Sequence, residues 1–138
     1  MVRPVNPAAG AKDQGKSVLV VEDNPELATL IGEALMGAGH AVTALKNARS
    51  VRDWTRSHAP ADAIVCDITL PDTNGWDLLR ELRGMSGWST VPALAVTGWD
   101  GPEARERSRR AGFSAHLVKP VGLAAILNWV ATPHSVDP

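Results

Sequence analysis

Five aliphatic runs, each closing on a polar or ionisable residue, alternate along this chain with stretches whose apolar residues recur at helical spacing. The first run, Ser17 to Val21, is continuously apolar after its first residue, as expected of a strand covered on both faces. It ends at Glu22-Asp23. Leu27, Leu30, Ile31, Ala34 and Leu35 then repeat at helical intervals. Asn24 is placed to cap that helix, Pro25 takes its first position, and Gly37 and Gly39 stop it. His40 to Leu45 predicts a second strand and Ala48 to Ser57 a short polar helix. Ala63 to Cys66 predicts the third strand, ending at Asp67. A loop through Gly75 precedes a helix from about Trp76 to Arg83. Pro92 to Val96 predicts the fourth strand, followed by Thr97-Gly98 and a helix over Pro102 to Ala111. Ala115 to Val118 predicts the fifth, followed by Lys119-Pro120. A final helix, Val121 to Ala131, places Leu123, Ile126, Leu127 and Val130 on one face.

Five strand–helix units imply right-handed crossovers and a parallel sheet with helices on both sides. The strands' carboxyl ends then converge at one edge, where open α/β sheets build their sites. The residues gathered there are Glu22, Asp23, Asp67, Thr97 and Lys119: three acids, a hydroxyl and an ammonium. Such a set suits a divalent cation and a phosphoryl group. The helix over 102–111 stands apart. Its small stripe is only Ala104, Ser108 and Ala111, and the rest is charged, so it is expected to dock weakly and to move.

Composition narrows the function classes. A length of 138 residues suggests one domain, and the net charge of -1 gives no bulk attraction to nucleic acid or anionic lipid. The one cysteine, Cys66, rules out an internal disulfide and fits a reducing compartment. No apolar stretch approaches the roughly 20 residues that span a bilayer, and no signal-peptide core is present, so the expected location is cytoplasmic. Residues 1–16, rich in Pro, Gly and Ala, read as a flexible tail or linker, 17–132 as the folded domain, and 133–138 as a second tail.

The ordered set Glu22-Asp23, Asp67 with Pro71 and Gly75, Thr97-Gly98, and Lys119-Pro120 resembles the receiver domain of two-component response regulators, the CheY-like superfamily. The resemblance covers residues 17 to about 131. It implies a flavodoxin-like (βα)5 fold, strand order 2-1-3-4-5, with Asp67 accepting a phosphoryl group from a histidine kinase or a phosphotransfer protein. It also implies Mg²⁺ held directly by Asp23 and Asp67 and by the backbone carbonyl of Thr69, with Glu22 acting through water. The Thr69 side chain is then free to vary. Mg²⁺ fits this set because it takes oxygen ligands and keeps several waters. Lys119 would pair with Asp67 and then with a phosphoryl oxygen, Thr97 would hydrogen-bond that group, and Gly98 would leave room for it. The Lys119-Pro120 bond would be cis.

His116 departs from the Tyr or Phe usual three residues before the lysine, whose ring turns inward when the threonine moves. Histidine can make the same movement, and it carries a titratable proton. The alternative is a half-exposed strand histidine without a switching role. Trp99 places a large ring near the pocket mouth. The resemblance further implies output through the surface of the fourth helix, fifth strand and fifth helix, with the Arg-rich helix and Trp129 supplying contacts. The downstream partner is unspecified. The oligomeric expectation is a monomer or a weak phosphorylation-dependent dimer.

Other readings are a C-terminal receiver of a hybrid sensor kinase acting as relay or phosphate sink, a flavodoxin-like cofactor binder, and a haloacid-dehalogenase-type phosphatase. The cofactor binder is disfavoured because the first loop, Glu-Asp-Asn-Pro, repels anions. The phosphatase lacks its usual Asp-x-Asp on the first strand. A receiver assists only its own phosphorylation and dephosphorylation and is not otherwise an enzyme.

Overall fold

The computed structural model describes residues 15–133. The expected tails fall almost wholly outside them. Lys16, at their edge, donates its backbone N–H to His40 Nδ1 at 3.1 Å and its ammonium to the Val130 carbonyl at 2.7 Å.

Strands and helices alternate in the order β1 (Ser17–Val21), α1 (Pro25–Gly37), β2 (Ala41–Leu45), α2 (Ala48–Thr55), β3 (Ala63–Cys66), α3 (Gly75–Arg83), β4 (Ala93–Thr97), α4 (Pro102–Ala111), β5 (Ala115–Val118) and α5 (Leu123–Ala131). The strands form one parallel sheet in the order β2-β1-β3-β4-β5, as the resemblance implies. Boundaries differ from the sequence pattern by one or two residues. The most useful difference is at β4, which runs on to include Thr97.

Apolar side chains fill both faces of the sheet, which explains the unbroken aliphatic runs. One face packs Leu19, Val21, Ile64 and Cys66 against Trp76, Leu79, Leu82 and Trp88. The other packs Val18, Val20, Val65 and Val96 against Ile31, Leu35, Ile126 and Trp129. Trp129 is therefore 3% exposed and interior, not the surface contact residue expected from the pattern. The stripe read from α5 covers part of the buried face, with Ile126 and Val130 inside it.

Caps fix where the helices start. Asn24 Oδ1 accepts the N–H groups of Glu26 and Leu27, and Asn47 and Asn74 do the same work for α2 and α3. Asp72, in the loop between β3 and α3, accepts the N–H groups of Ala48 and Arg49, which anchors that loop to the start of α2. Gly75 answers a close approach. A Cβ there would lie 2.6 Å from the Asp67 carbonyl oxygen and 3.0 Å from Ile68 Cα. The glycine lets α3 begin directly against the end of β3.

The small stripe of α4 is buried as read: Ala104, Ser108 and Ala111. Its docking nevertheless has polar support. Ser108 bonds Trp76 and His116, Arg105 Nη1 donates to the His116 carbonyl at 3.1 Å, and the Arg107 guanidinium lies 3.9 Å from the Trp76 ring centroid. Polar anchoring substitutes here for the apolar area the helix lacks.

Candidate functional site

The sheet register brings the strand ends together. Val21 is level with Cys66, so the residues that follow them, Glu22 and Asp67, are neighbours. The Asp67 N–H donates to the Val21 carbonyl at 2.9 Å, and the Lys119 N–H to the Thr97 carbonyl at 2.7 Å. Four sequence-distant fragments thus end at one edge.

Carboxylate oxygens of Glu22, Asp23 and Asp67 lie within 4.8 Å of one another. Glu22 and Asp67 are buried and Asp23 is exposed, so the cluster opens to solvent on one side. Lys119 Nζ bridges the buried pair, 2.9 Å from Asp67 Oδ2 and 3.2 Å from Glu22 Oε1. Backbone donors orient the same carboxylates. Thr69 N–H donates to Asp67 Oδ1 at 3.0 Å, and Asn24 N–H to Glu22 Oε2 at 3.1 Å.

Burial, with the charge of Asp67 adding to it, pushes the Glu22 carboxyl above its ordinary range, against the opposing pull of the Asn24 N–H and Lys119. For Lys119, burial opposes the charged form, but Asp67 and Glu22 together outweigh it and raise its pKa. Burial, then the same two carboxylates, pushes the Cys66 thiol far up, leaving it an inert packing group beside the site. Three hard oxygen donors with one open side suit a small divalent cation such as Mg²⁺, which would relieve their repulsion.

Thr97 is fully buried at the end of β4, and its hydroxyl accepts the Trp99 N–H at 3.1 Å. A Cβ added to Gly98 would meet no protein atom within 4 Å, so space is open there. The Lys119-Pro120 peptide bond is cis. A groove of about 550 Å³ opens beside Glu22 and Asp23, between α1 and the end of β2.

His116 is 4% exposed, which removes the half-exposed alternative. Its ring lies inward, with Nδ1 2.8 Å from Ser108 Oγ and Nε2 2.9 Å from the Trp99 carbonyl. Trp99 reaches the pocket through its side chain as well. Its indole N–H donates to Thr69 Oγ1 at 3.0 Å, and its ring meets Trp76 edge-on at 6.3 Å. The Thr69 side chain, expected to be without a role, is therefore tied to the opposite loop. Ser108 was legible only as a small residue in a stripe, and its partners lie 8 and 32 positions away.

The model of the response regulator receiver domain matches residues 18–131. The chain belongs to this family. The receiver is 29% identical over 115 residues to the polar-differentiation response regulator DivK of Brucella anthropi, covering 83% of this chain and 93% of DivK. It is 32% identical over 123 residues to the sensory/regulatory protein RpfC of Xanthomonas campestris pv. campestris, covering 88% of this chain but 17% of RpfC. Among solved structures, the chemotaxis response regulator CheY4 of Vibrio cholerae superimposes with a TM-score of 0.76 at 25% identity, over 83% of this chain and 97% of that one. The receiver domain of the sensor histidine kinase PA1611 of Pseudomonas aeruginosa, solved with a magnesium ion coordinated in its active site cleft, gives 0.75 at 30% identity over 84% and 94%. This chain is thus a receiver domain of two-component signalling, and its acidic pocket supports a phosphoacceptor role. Among the described residues, no helix is long and apolar enough to cross a membrane.

Proposed function

We propose that Asp67 accepts a phosphoryl group from a phosphohistidine of a histidine kinase or phosphotransfer protein, with Mg²⁺ as cofactor, and that the domain acts in the cytoplasm. The observation that carries this is the Lys119 ammonium bridging Asp67 and Glu22 beside the exposed carboxylate of Asp23. An Asp67 carboxylate oxygen attacks phosphorus, a P–O bond forms, the donor's P–N bond breaks, and the imidazole nitrogen keeps the electron pair and takes up a proton. Such transfer needs positioning and charge neutralisation more than covalent help. Thr69 N–H orients the Asp67 carboxylate, and Lys119 is placed to move from carboxylate to phosphoryl oxygen. The Thr97 hydroxyl bonds the same group in the space beside Gly98. Asp23, Asp67 and the Thr69 carbonyl would hold Mg²⁺, with Glu22 acting through water, and the ion would neutralise part of the developing charge. The domain assists only its own phosphorylation and dephosphorylation.

Capture of the phosphoryl group by Thr97 and Lys119 shifts the β4–α4 loop, His116 and α4, and the surface of α4, β5 and α5 controls a downstream protein. A second reading, a receiver of a hybrid sensor kinase serving as relay or phosphate sink, is favoured by the 30% identity to the PA1611 receiver. With acetyl phosphate and Mg²⁺, the intact mass is expected to rise by one phosphoryl group in the wild type and not in Asp67→Asn. Labelling retained in that variant refutes the assignment. A beryllofluoride mimic separates the two readings: amide NMR shifts spreading over residues 97–119 support the switch, and shifts confined to the pocket support the sink.

A further inference from the structure

Ser108 lies in the middle of α4 and is 1% exposed. Its hydroxyl has two side-chain partners, Trp76 Nε1 at 2.9 Å and His116 Nδ1 at 2.8 Å. The chemistry of the groups sets the direction of each bond. An indole N–H only donates, so Ser108 Oγ accepts from Trp76 and has its own proton free for His116 Nδ1. At the other end of the ring, Nε2 faces the Trp99 carbonyl at 2.9 Å, which only accepts. Nε2 therefore carries the ring proton and Nδ1 accepts. The result is a one-way chain from the Trp76 indole through the Ser108 hydroxyl and the His116 imidazole to the Trp99 carbonyl.

This chain crosses four elements: α3, α4, β5 and the loop between β4 and α4. The same Trp99 donates its backbone N–H to Thr97 Oγ1. From the Thr97 hydroxyl to α4 there is thus an unbroken path of hydrogen bonds, and α4 has little apolar area to hold it otherwise. The charged groups near the ring are Arg105 from α4 and Asp100 from the loop. Burial, with Arg105 adding to it, lowers the pKa of the imidazole against the opposing influence of the Trp99 carbonyl and Asp100.

We propose that Ser108 is the positioning residue for His116: its hydroxyl donates to Nδ1 and holds the imidazole inward, in the Nε2–H tautomer that the Trp99 carbonyl selects, before any phosphoryl transfer, and so fastens α4 to β5 and to the loop carrying Trp99. The ring then has no outward-to-inward rotation to make. Displacement of the loop by Thr97 pulls His116 through the Trp99 carbonyl, and His116 pulls α4 through Ser108, so loop, ring and helix shift as one body. The proposal rests on the reading of Thr97 and His116 as coupling residues, and its test separates the two.

The test uses ¹⁵N-histidine NMR and amide hydrogen exchange on the full chain, with acetyl phosphate labelling of Asp67 as the control. The wild type should show His116 as the neutral Nε2–H tautomer. Ser108→Ala should shift the ¹⁵N signal of the unprotonated Nδ1, which loses its donor, and give at least about tenfold faster exchange across α4, consistent with loss of a buried hydrogen bond, while Asp67 still labels. Ser108→Thr, which keeps the hydroxyl, should restore the Nδ1 signal, and Trp76→Phe, which removes the far donor along with part of the buried ring, should retain it. An Nδ1–H tautomer in the wild type overturns the proposal whether or not any variant folds. So do unchanged ring signals and α4 exchange in Ser108→Ala. If the Ser108 results hold but beryllofluoride leaves α4 unmoved, Ser108 keeps its role and the coupling reading fails.

Discussion

Replacing Glu22 by glutamine should leave the metal-free protein as stable or make it more stable, although it removes half of a salt bridge. At an effective dielectric of about 20, the Lys119–Glu22 contact at 3.2 Å contributes roughly 5 kcal/mol of attraction. The Asp67 carboxylate, within 4.8 Å, repels Glu22 by at least roughly 3.5 kcal/mol on the same scale. Asp23 repels it further, screened by solvent. These charge interactions nearly cancel, so the desolvation of a carboxylate that is 3% exposed decides the sign. That penalty is partly offset by the Asn24 N–H, a bond that a glutamine oxygen can also accept. Lys119 retains Asp67. The expected gain for Glu22→Gln is about 1 kcal/mol, or a melting temperature higher by about 3–5 °C for a domain of this size. The assay is urea unfolding at pH 7.5 in EDTA, repeated with MgCl₂. Added Mg²⁺ should stabilise the wild type more than the variant, because binding to the native state raises stability by mass action. A loss of more than about 1 kcal/mol in EDTA would show that the Lys119 bridge, not burial, governs this carboxylate.

Other expectations follow from single contacts. Gly75→Ala should cost about 1–3 kcal/mol in urea unfolding and slow acetyl phosphate labelling, since the new Cβ meets the backbone of Asp67 and Ile68; wild-type values for both would contradict the close packing. Burial lowers the pKa of His40, helped by Lys16, and burial likewise lowers that of His116. The unfolded chain then binds more protons than the native one just below the ordinary histidine value of about 6.5, so stability should fall as pH drops through that region. Flat stability from pH 7 to pH 5.5 in His40→Gln and wild type alike would argue against it. Arg83 donates to the Trp88 carbonyl at 2.7 Å and the Gly112 carbonyl at 2.6 Å, so Arg83→Met should destabilise by about 1–3 kcal/mol. An unchanged unfolding midpoint would show that water replaces it.

The alternation of aliphatic runs with helical spacing was enough to determine the fold class, because a strand buried on both faces admits no polar interruption and a helix packed on one face must repeat its apolar residues. The position of Glu22, Asp23, Asp67 and Lys119 at strand ends was legible for the same reason: the apolar run stops where the chain leaves the core. Sequence could also place Ala104, Ser108 and Ala111 on one face of α4. It could not say that Trp129 is interior, since an aromatic residue near the end of an apolar helix fits core and surface alike until α1 is seen to cover it. Nor could it show the inward ring of His116, the bridge from Trp99 to Thr69, or the part played by Ser108. Those depend on hydrogen bonds between residues 8 to 32 positions apart. Periodicity records which face a residue occupies; only the packing of one element on another decides which polar atom across the interface it meets.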